Sequence, residues 1–520
     1  MHGAELMLGL LIAVAALVTI ARRVGVAYPV FLVVGGLALG LVPGVPRIEI
    51  DPDVIFLIVL PPLLYIAAYL TPLRSLRENV TTIGSLAVGL VVASACAVAV
   101  VAHALVPGMP WSVAMVLGAI VAPPDAIAAI AVTRPLAVPR QIVTILEGES
   151  LLNDATALTM YVIALAVAGG RAFSAGSTAL TFAGAIVGGC VIGVMVGWVI
   201  ARIRARLEDT PVEMTISLLT PYAAFLPADR LESSGVIATV AAGLYLGHRG
   251  SQIMGADARL TGRALWDTIT FLLNGFVFIV MGLEVPLLFR ALTPTAAIRL
   301  VGIGIAVTAV LVVVRALWIF ATVFLPSARR SRRDALGCSL ILAWAGMRGV
   351  VSLAAALALP MTLPGGSSFP GRDTLIVVTL TVIVLTLLGQ GLTLPWLIRA
   401  LGLGLDSGLR EEEARARQRL LEAAGRRIDE LYPVWPGHHP LLDQLRETYR
   451  HRSEHVERQR DTSGAAEQDR ELIEHREIRR TVFDAEREAL LRLRAEGEVD
   501  DVVLRDLERE LDLEERRMDA

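Results

Sequence analysis

The chain contains no lysine, so all 47 of its basic residues are arginine. Lysine chemistry is therefore closed to it, and its cationic side chains stay charged at any physiological pH. Cysteine is scarce too. Cys96, Cys190 and Cys338 stand far apart in apolar segments with neither metal-site nor disulfide spacing, and such a Cys behaves as a small hydrophobe. Charge is the third scarcity, at 19% of residues with a net charge of −3. With its arginines scattered over loops and a polar tail, the chain offers no basic face to a nucleic acid.

What it has in quantity is apolar sequence, 55% of the whole. Runs of about 20 apolar residues, the length that crosses a bilayer, recur from Leu6 almost to Ala400, after which the chain turns Arg- and Glu-rich. The reading is an all-α polytopic membrane protein in two regions: a membrane domain over 1–403 and a charged helical tail over 404–520. The opening stretch "MHGAELMLGLLIAVAALVTIARR" places Glu5 before its apolar core and Arg22 and Arg23 after it. That is the reverse of a secretory signal, so it reads as a retained first span.

Apolar runs bounded by Gly, Pro and charge predict about thirteen helices, over 5 to 21, 25 to 43, 53 to 71, 80 to 106, 111 to 133, 140 to 167, 178 to 201, 212 to 226, 233 to 248, 264 to 289, 296 to 325, 335 to 360 and 374 to 400. Alternate loops hold most of the arginines: Arg22 and Arg23, Arg74 and Arg77, Arg134 and Arg140, Arg202, Arg204 and Arg206, then Arg249, Arg259 and Arg263, and last the group around Arg330. The positive-inside rule puts those loops and the tail in the cytoplasm and the N-terminus outside.

An odd count also suits an inverted repeat of helices one to six and eight to thirteen. The fifth and twelfth are then equivalent, and each is interrupted, by "VAPPDAIAA" (Val121 to Ala129) and "WAGMRGVVS" (Trp344 to Ser352). Matched breaks of this kind point to a transporter's midplane site, because unwound backbone at membrane depth is tolerated only where it is buried in protein or lines a cavity.

Depth sharpens the argument. At 1.5 Å per residue, Asp125, Asp154 and Arg348 each fall about 20 Å into their spans, and Arg315 about 28 Å into the eleventh. The sixth span carries "ILEGESLLNDATALTM" (Ile145 to Met160), in which Ser150 and Asp154, and Glu149 and Asn153, form adjacent stripes. Glu147 lies nearer the cytoplasmic end. The bland reading of Glu149 with Arg315 is an ion pair that fixes packing, and that reading is preferred. The central charges then do not cancel: Asp125, Glu149 and Asp154 against Arg315 and Arg348 leave one negative charge over. A dry site satisfies that surplus with either a proton or a bound cation, which describes a proton-for-cation exchanger. Ser150, Asn153, Asp154, Asp125 and carbonyls freed near Pro124 supply oxygens suited to a small hard cation. Asp125 and Arg348 are also placed to offset the exposed half-helix ends.

Three stretches, "FLIVLPPLLYIAA" (Phe56 to Ala68), "EGESLLNDATAL" (Glu147 to Leu158) and "AGMRGVVSLAAALALP" (Ala345 to Pro360), resemble the sodium/proton exchanger branch of the monovalent cation/proton antiporters, in bacterial proteins of the electroneutral Asn-Asp type. The resemblance implies that Asp154 carries the ion or the proton, that Ser150 helps line the site, and that Glu149 pairs with Arg315. It also implies crossed interrupted helices, a homodimer with elevator-like movement in the bacterial plasma membrane, and a part in sodium transport and pH homeostasis. No cofactor is expected, and the partners are monovalent cations, protons and membrane lipid. One departure stands out. The family usually shows Thr-Asp-Pro at the first break, whereas this chain has Pro124, Asp125 and Ala126, so a hydroxyl is missing. Sodium is the expected ion, with K⁺/H⁺ exchange as the alternative and a sodium-coupled solute symporter as the remote one. Enzyme chemistry is not expected: His103 is the sole histidine well within a span, too little for an intramembrane protease. Five tail histidines, His438, His439, His451, His455 and His475, read as surface residues before they read as pH sensors.

Overall fold

The computed structural model describes residues 2–24, 27–42, 55–133, 136, 138–171, 174–207, 209–290, 292–325, 332–363, 368–402 and 407–460, with a few further positions between 481 and 511. Among these the protein is helical throughout, and an isolated bridge between Thr362 and Ser368 is its only extended pairing. It divides into two units, 1–405 and 406–520.

In the first unit the elements are α1 (His2–Val24), α2 (Tyr28–Leu41), α3 (Leu60–Leu70), α4 (Val80–Leu105), α5 (Trp111–Val121), α6 (Ala126–Thr133), α7 (Arg140–Ala168), α8 (Ala175–Arg204), α9 (Thr210–Arg230), α10 (Gly235–Ile253), α11 (Ala256–Arg290), α12 (Pro294–Ile319), α13 (Arg332–Trp344), α14 (Val350–Leu357) and α15 (Arg372–Leu401). A wider π turn, Ile55–Val59, leads into α3. Among the described residues seven helices are long and apolar enough to cross a membrane: α4, the broken run Trp111–Thr133, α7, α8 from Ala179, α11, α12 with its extension to Phe324, and α15. Tyr28–Leu41, Leu57–Leu70 and Ala335–Trp344 are apolar but shorter. Length and composition alone thus reach seven of the expected thirteen; the second, third and interrupted twelfth spans are among those that fall short in length.

The helices pack through small residues. α2 lies along α11 where Gly36 and Gly282 meet, and a Cβ on either would run into backbone of the other helix. α8 lies along α10 in the same manner, with Gly189 against Ser234 and Ile237 and Gly197 against Ala242 and Tyr245. Lipid tails are as apolar as leucine, so close backbone approach supplies the dispersion contacts that hold such helices together. A second group, α4, α5, α7, α12 and α15, packs together and buries the largest apolar cluster, which includes Leu117, Ile142, Val307 and Leu380.

Arg204, grouped by sequence with the loop arginines, is 3% exposed and ion-paired to Glu213 at 3.1 Å. A second contact, to the Met254 sulfur, ties the ends of α8, α9 and α10 together. His103 caps the turn between α4 and α5, with Nδ1 2.7 Å from the Met109 carbonyl and its ring stacked on Trp111.

In the second unit, α16 (Ser407–Leu431) and α17 (His439–Arg460) form a helical hairpin. Its turn is fixed by Tyr432, whose ring stacks on His439 while Arg446 lies over it and pairs with Asp429. Ile428 and Leu442 are buried. His475 lies outside the described residues.

Candidate functional site

The two breaks meet. α5 ends at Val121 and the chain runs without helix to Asp125, while α13 ends at Trp344 and the chain runs likewise to Gly349. The Asp125 amide donates to the Met347 carbonyl at 2.7 Å, joining one unwound segment to the other. Pro123 and Pro124 have no N–H to continue a helical ladder, and Gly346 and Gly349 admit neighbours that a Cβ would exclude. A Cβ on Gly349 would occupy the Asp125 carboxylate, and one on Gly346 would lie 2.6 Å from Arg315 Cδ.

Four half-helix ends converge here, and each has a charged partner. The Arg348 guanidinium donates from Nε to Val121 O at 3.0 Å and from Nη2 to Ala122 O at 3.2 Å, closing the C-terminus of α5. Its Nη1 donates to Gly346 O, and its backbone N–H to Thr386 Oγ1 at 3.1 Å. Arg315 serves the C-terminus of α13, donating from Nε to Leu342 O at 3.0 Å. At the opposite polarity, Asp125 Oδ1 accepts from Ile127 N at 2.8 Å at the start of α6, and its Oδ2 lies against Gly349, the N-cap of α14. Cations sit on carbonyl ends and an anion on amide ends, as the helix dipole requires.

Glu149 meets Arg315 in a bidentate pair at 2.5 and 2.9 Å, with each partner 1% exposed. One turn further along α7, Asn153 donates from Nδ2 to Pro124 O at 2.8 Å. The carbonyl freed by the break is thus already bonded, and Asn153 joins α7 to it from outside the cavity. Glu149 and Asn153 therefore occupy the packed face of α7.

The other face of α7 is open. Ser150 and Asp154 line a cavity of about 80 Å³ together with Asp125, Pro124, Glu147 and Ser352, closed on one side by leucines of α3. Asp154 is 6% exposed. No described residue donates a hydrogen bond to it, and its charged neighbour is Asp125, of the same sign. Of the five central charges, Glu149 and Arg315 cancel, Arg348 and Asp125 are spent on helix ends, and Asp154 is left without an opposite charge. Among the described residues no group of three or more His, Cys, Asp or Glu side chains is arranged for a tightly held metal. Sequence reasoning missed Thr386, which fixes the backbone at Arg348, and Ser352, which sits at the edge of the second break and shows no local signal of facing the cavity.

Gly349→Ala follows as a test of the crossing. Its methyl displaces the Asp125 carboxylate from both amide ends, so the variant is expected to lose about 1–3 kcal/mol, the usual cost of overpacking. Thermal melting in detergent checks it, and a melt equal to the parent's excludes this geometry.

Comparison with known proteins agrees with the fold. Residues 9–400 match the family described as "Sodium/hydrogen exchanger, transmembrane". A Mycobacterium tuberculosis protein named as an uncharacterised Na⁺/H⁺ exchanger is 36% identical over 99% of this chain and 96% of its own length. A sodium, potassium, lithium and rubidium/H⁺ antiporter of Bacillus subtilis is 29% identical over 71% of this chain and 57% of its own. The sodium proton antiporter MjNhaP1 of Methanocaldococcus jannaschii shares the fold, with a TM-score of 0.60 at 18% identity over 77% of this chain and 99% of its own. A family match that spans the membrane unit and a relative aligned from end to end establish that the chain belongs to the sodium/hydrogen exchanger family: it is a membrane protein that exchanges monovalent cations for protons, a transporter rather than an enzyme.

Proposed function

We propose that the protein exchanges Na⁺ for H⁺ one for one, with Asp154 holding either the cation or the proton and never both. The observation that carries this reading is the isolation of Asp154, a buried carboxylate with no opposite charge beside it and no hydrogen bond among the described residues. Ser150 and Asp125 share its cavity and supply further oxygens for the ion, while Asn153 holds Pro124 in place. Glu149 and Arg315 act as a structural pair, and Arg348 keeps the crossing together. A cavity of about 80 Å³ has room for a cation with two or three water-sized oxygens.

Potassium is a second reading, supported by the ions named for the Bacillus subtilis relative. The chain is taken to span a bacterial plasma membrane thirteen times as two inverted repeats, with the N-terminus outside and the tail in the cytoplasm, and to move by alternating access as a homodimer serving pH homeostasis. The arginine bias of alternate loops supports the orientation, and the charged hairpin beyond residue 405 suits a regulatory or dimer-contacting role.

Stoichiometry follows from the residue inventory. Arg315 cannot release a proton, Asn153 has none to exchange, and Glu149 is committed to Arg315, so each crossing carries one proton or one cation. Dequenching of a pH-sensitive dye in proteoliposomes on addition of Na⁺, Li⁺ and K⁺ in turn tests the exchange and ranks the ions. A potential of about 100 mV is worth about 2.3 kcal/mol for each net charge moved. Imposed without an ion gradient, it is expected to drive no Na⁺ uptake. Sustained accumulation that follows the sign of the potential would require a second proton site.

A further inference from the structure

We propose that Ser352 is a ligand of the transported cation, supplying from α14 a hydroxyl oxygen opposite Asp154; this rests on the reading of Asp154 as the ion carrier. Ser352 is the third residue of α14 and 2% exposed, and it lines the same cavity as Asp154 and Ser150. Several helical hydroxyls among the described residues return to their own backbone. Thr156, Thr159, Thr308 and Thr381 each donate to the carbonyl four residues back, at 3.2, 2.7, 2.8 and 2.8 Å, the bond that a hydroxyl without other employment makes. Ser150 and Ser352 do not. Neither has a hydrogen-bond partner among the described residues; for Ser150 the Leu146 carbonyl lies one turn behind in α7, whereas Ser352 stands in the first turn of α14, just after the break. Ser94, Ser339 and Thr379 are also unpartnered, but they lie away from the cavity.

A buried hydroxyl without a partner costs about 1–3 kcal/mol; Ser352 is buried and Ser150 half-buried, and two hydroxyls facing the same small space as a bare carboxylate are satisfied together by one cation. The inventory of oxygens leaves a place for Ser352. Pro124 has no side-chain oxygen, and its carbonyl already accepts from Asn153. Asp125 is engaged at the amide end of α6 through Oδ1, which leaves its Oδ2 as the oxygen it can offer. On the α14 side of the cavity Gly349, Val350 and Val351 offer no side-chain ligand, which leaves the Ser352 hydroxyl to complete the shell there. Ser150 and Asp154 belong to α7 and Ser352 to a crossed half-helix, so a cation held by all three joins two elements that a proton on Asp154 would leave separate. Cation and proton would then be told apart by what each one draws together.

Full-length protein in proteoliposomes, assayed by dye dequenching, tests the assignment. Ser352→Ala is expected to raise the KM for Na⁺ about tenfold, the loss of one oxygen contact, with the maximal rate nearly unchanged. Ser352→Thr, which keeps the hydroxyl, should restore the parent KM. Ser352→Cys keeps the volume but offers a soft thiol, which suits Tl⁺ better than Na⁺, so KM should rise for Na⁺ and not for Tl⁺. A purely structural serine would not separate the two ions, and the Cys variant remains decisive where the Ala variant misfolds. Ser94→Ala serves as the control and should behave as the parent. Equal Na⁺ KM values for the parent, Ser352→Ala and Ser352→Cys overturn the proposal, as does a Cys variant that weakens both ions alike. Asp154→Asn in the same assay separates the two levels: exchange surviving there overturns the reading of the site itself, whatever Ser352 does.

Discussion

Asp154→Asn is expected to abolish cation-driven proton movement while leaving a folded protein that melts at or above the parent temperature. The amide matches the carboxylate in size but can neither carry the exchanged proton nor balance a cation. Removing one partner of a buried charge pair costs about 3–5 kcal/mol, at least about a hundredfold in affinity, and the bound cation with Asp154 is such a pair. Stability moves the other way. With the site empty, Asp154 is a buried charge that no described residue bonds to, and neutralising it removes that desolvation cost. The two signs together are diagnostic, because a substitution that merely damaged packing would lower both transport and melting temperature. Dequenching with Na⁺, Li⁺ and K⁺ and a thermal melt in ion-free buffer measure them. Exchange that persists at a tenth of the parent rate or more excludes Asp154 as the carrier.

The crossing is legible in the sequence because its causes are local. The paired prolines Pro123 and Pro124 and the closely spaced Gly346 and Gly349 disfavour a continuous helix, and the charges beside them are costly enough at that depth to imply a use. The Glu149–Arg315 pair is legible by elimination, as buried opposite charges at similar depth. What the sequence does not show is which oxygens are already occupied. Pro124 reads as a carbonyl donor to the cation, but in the folded protein the Asn153 amide is bonded to that oxygen. Nothing in the spacing of Asn153 and Pro124 announces a contact made across 29 positions. Arg204 fails for a related reason. Its neighbours Arg202 and Arg206 are exposed, as the loop reading has it, whereas Arg204 turns inward to Glu213. The start of α11 at Ala256, eight residues before the expected 264, has the same kind of cause: Arg259 and Arg263 read as loop, yet they continue a helix beyond its apolar part.

Arg315→Ala is the second change with a large expected effect, and it falls on stability. Arg315 makes three hydrogen bonds, two to Glu149 and one to Leu342 O at the end of α13. Its removal leaves a 1% exposed carboxylate bare and a helix end uncapped. The cost is about 3–5 kcal/mol, a fall in melting temperature on the order of 10 °C. Replacing both partners, Glu149→Gln with Arg315→Gln, removes the stranded charge and keeps groups able to hydrogen-bond, so the double variant should melt well above Arg315→Ala. A buried pair exchanged for neutral partners is often close to neutral in stability even though breaking it is not. Transport then separates structure from mechanism. If the pair only holds α7 to α12 and α13, the double variant exchanges ions with the parent's Na⁺ KM, since Ser150 and Asp154 occupy the other face of α7. A double variant no more stable than Arg315→Ala disproves the pairing. One that is stable but silent, with Asp154 intact, moves Glu149 from the packing of the crossing into the proton pathway and ends the one-for-one scheme.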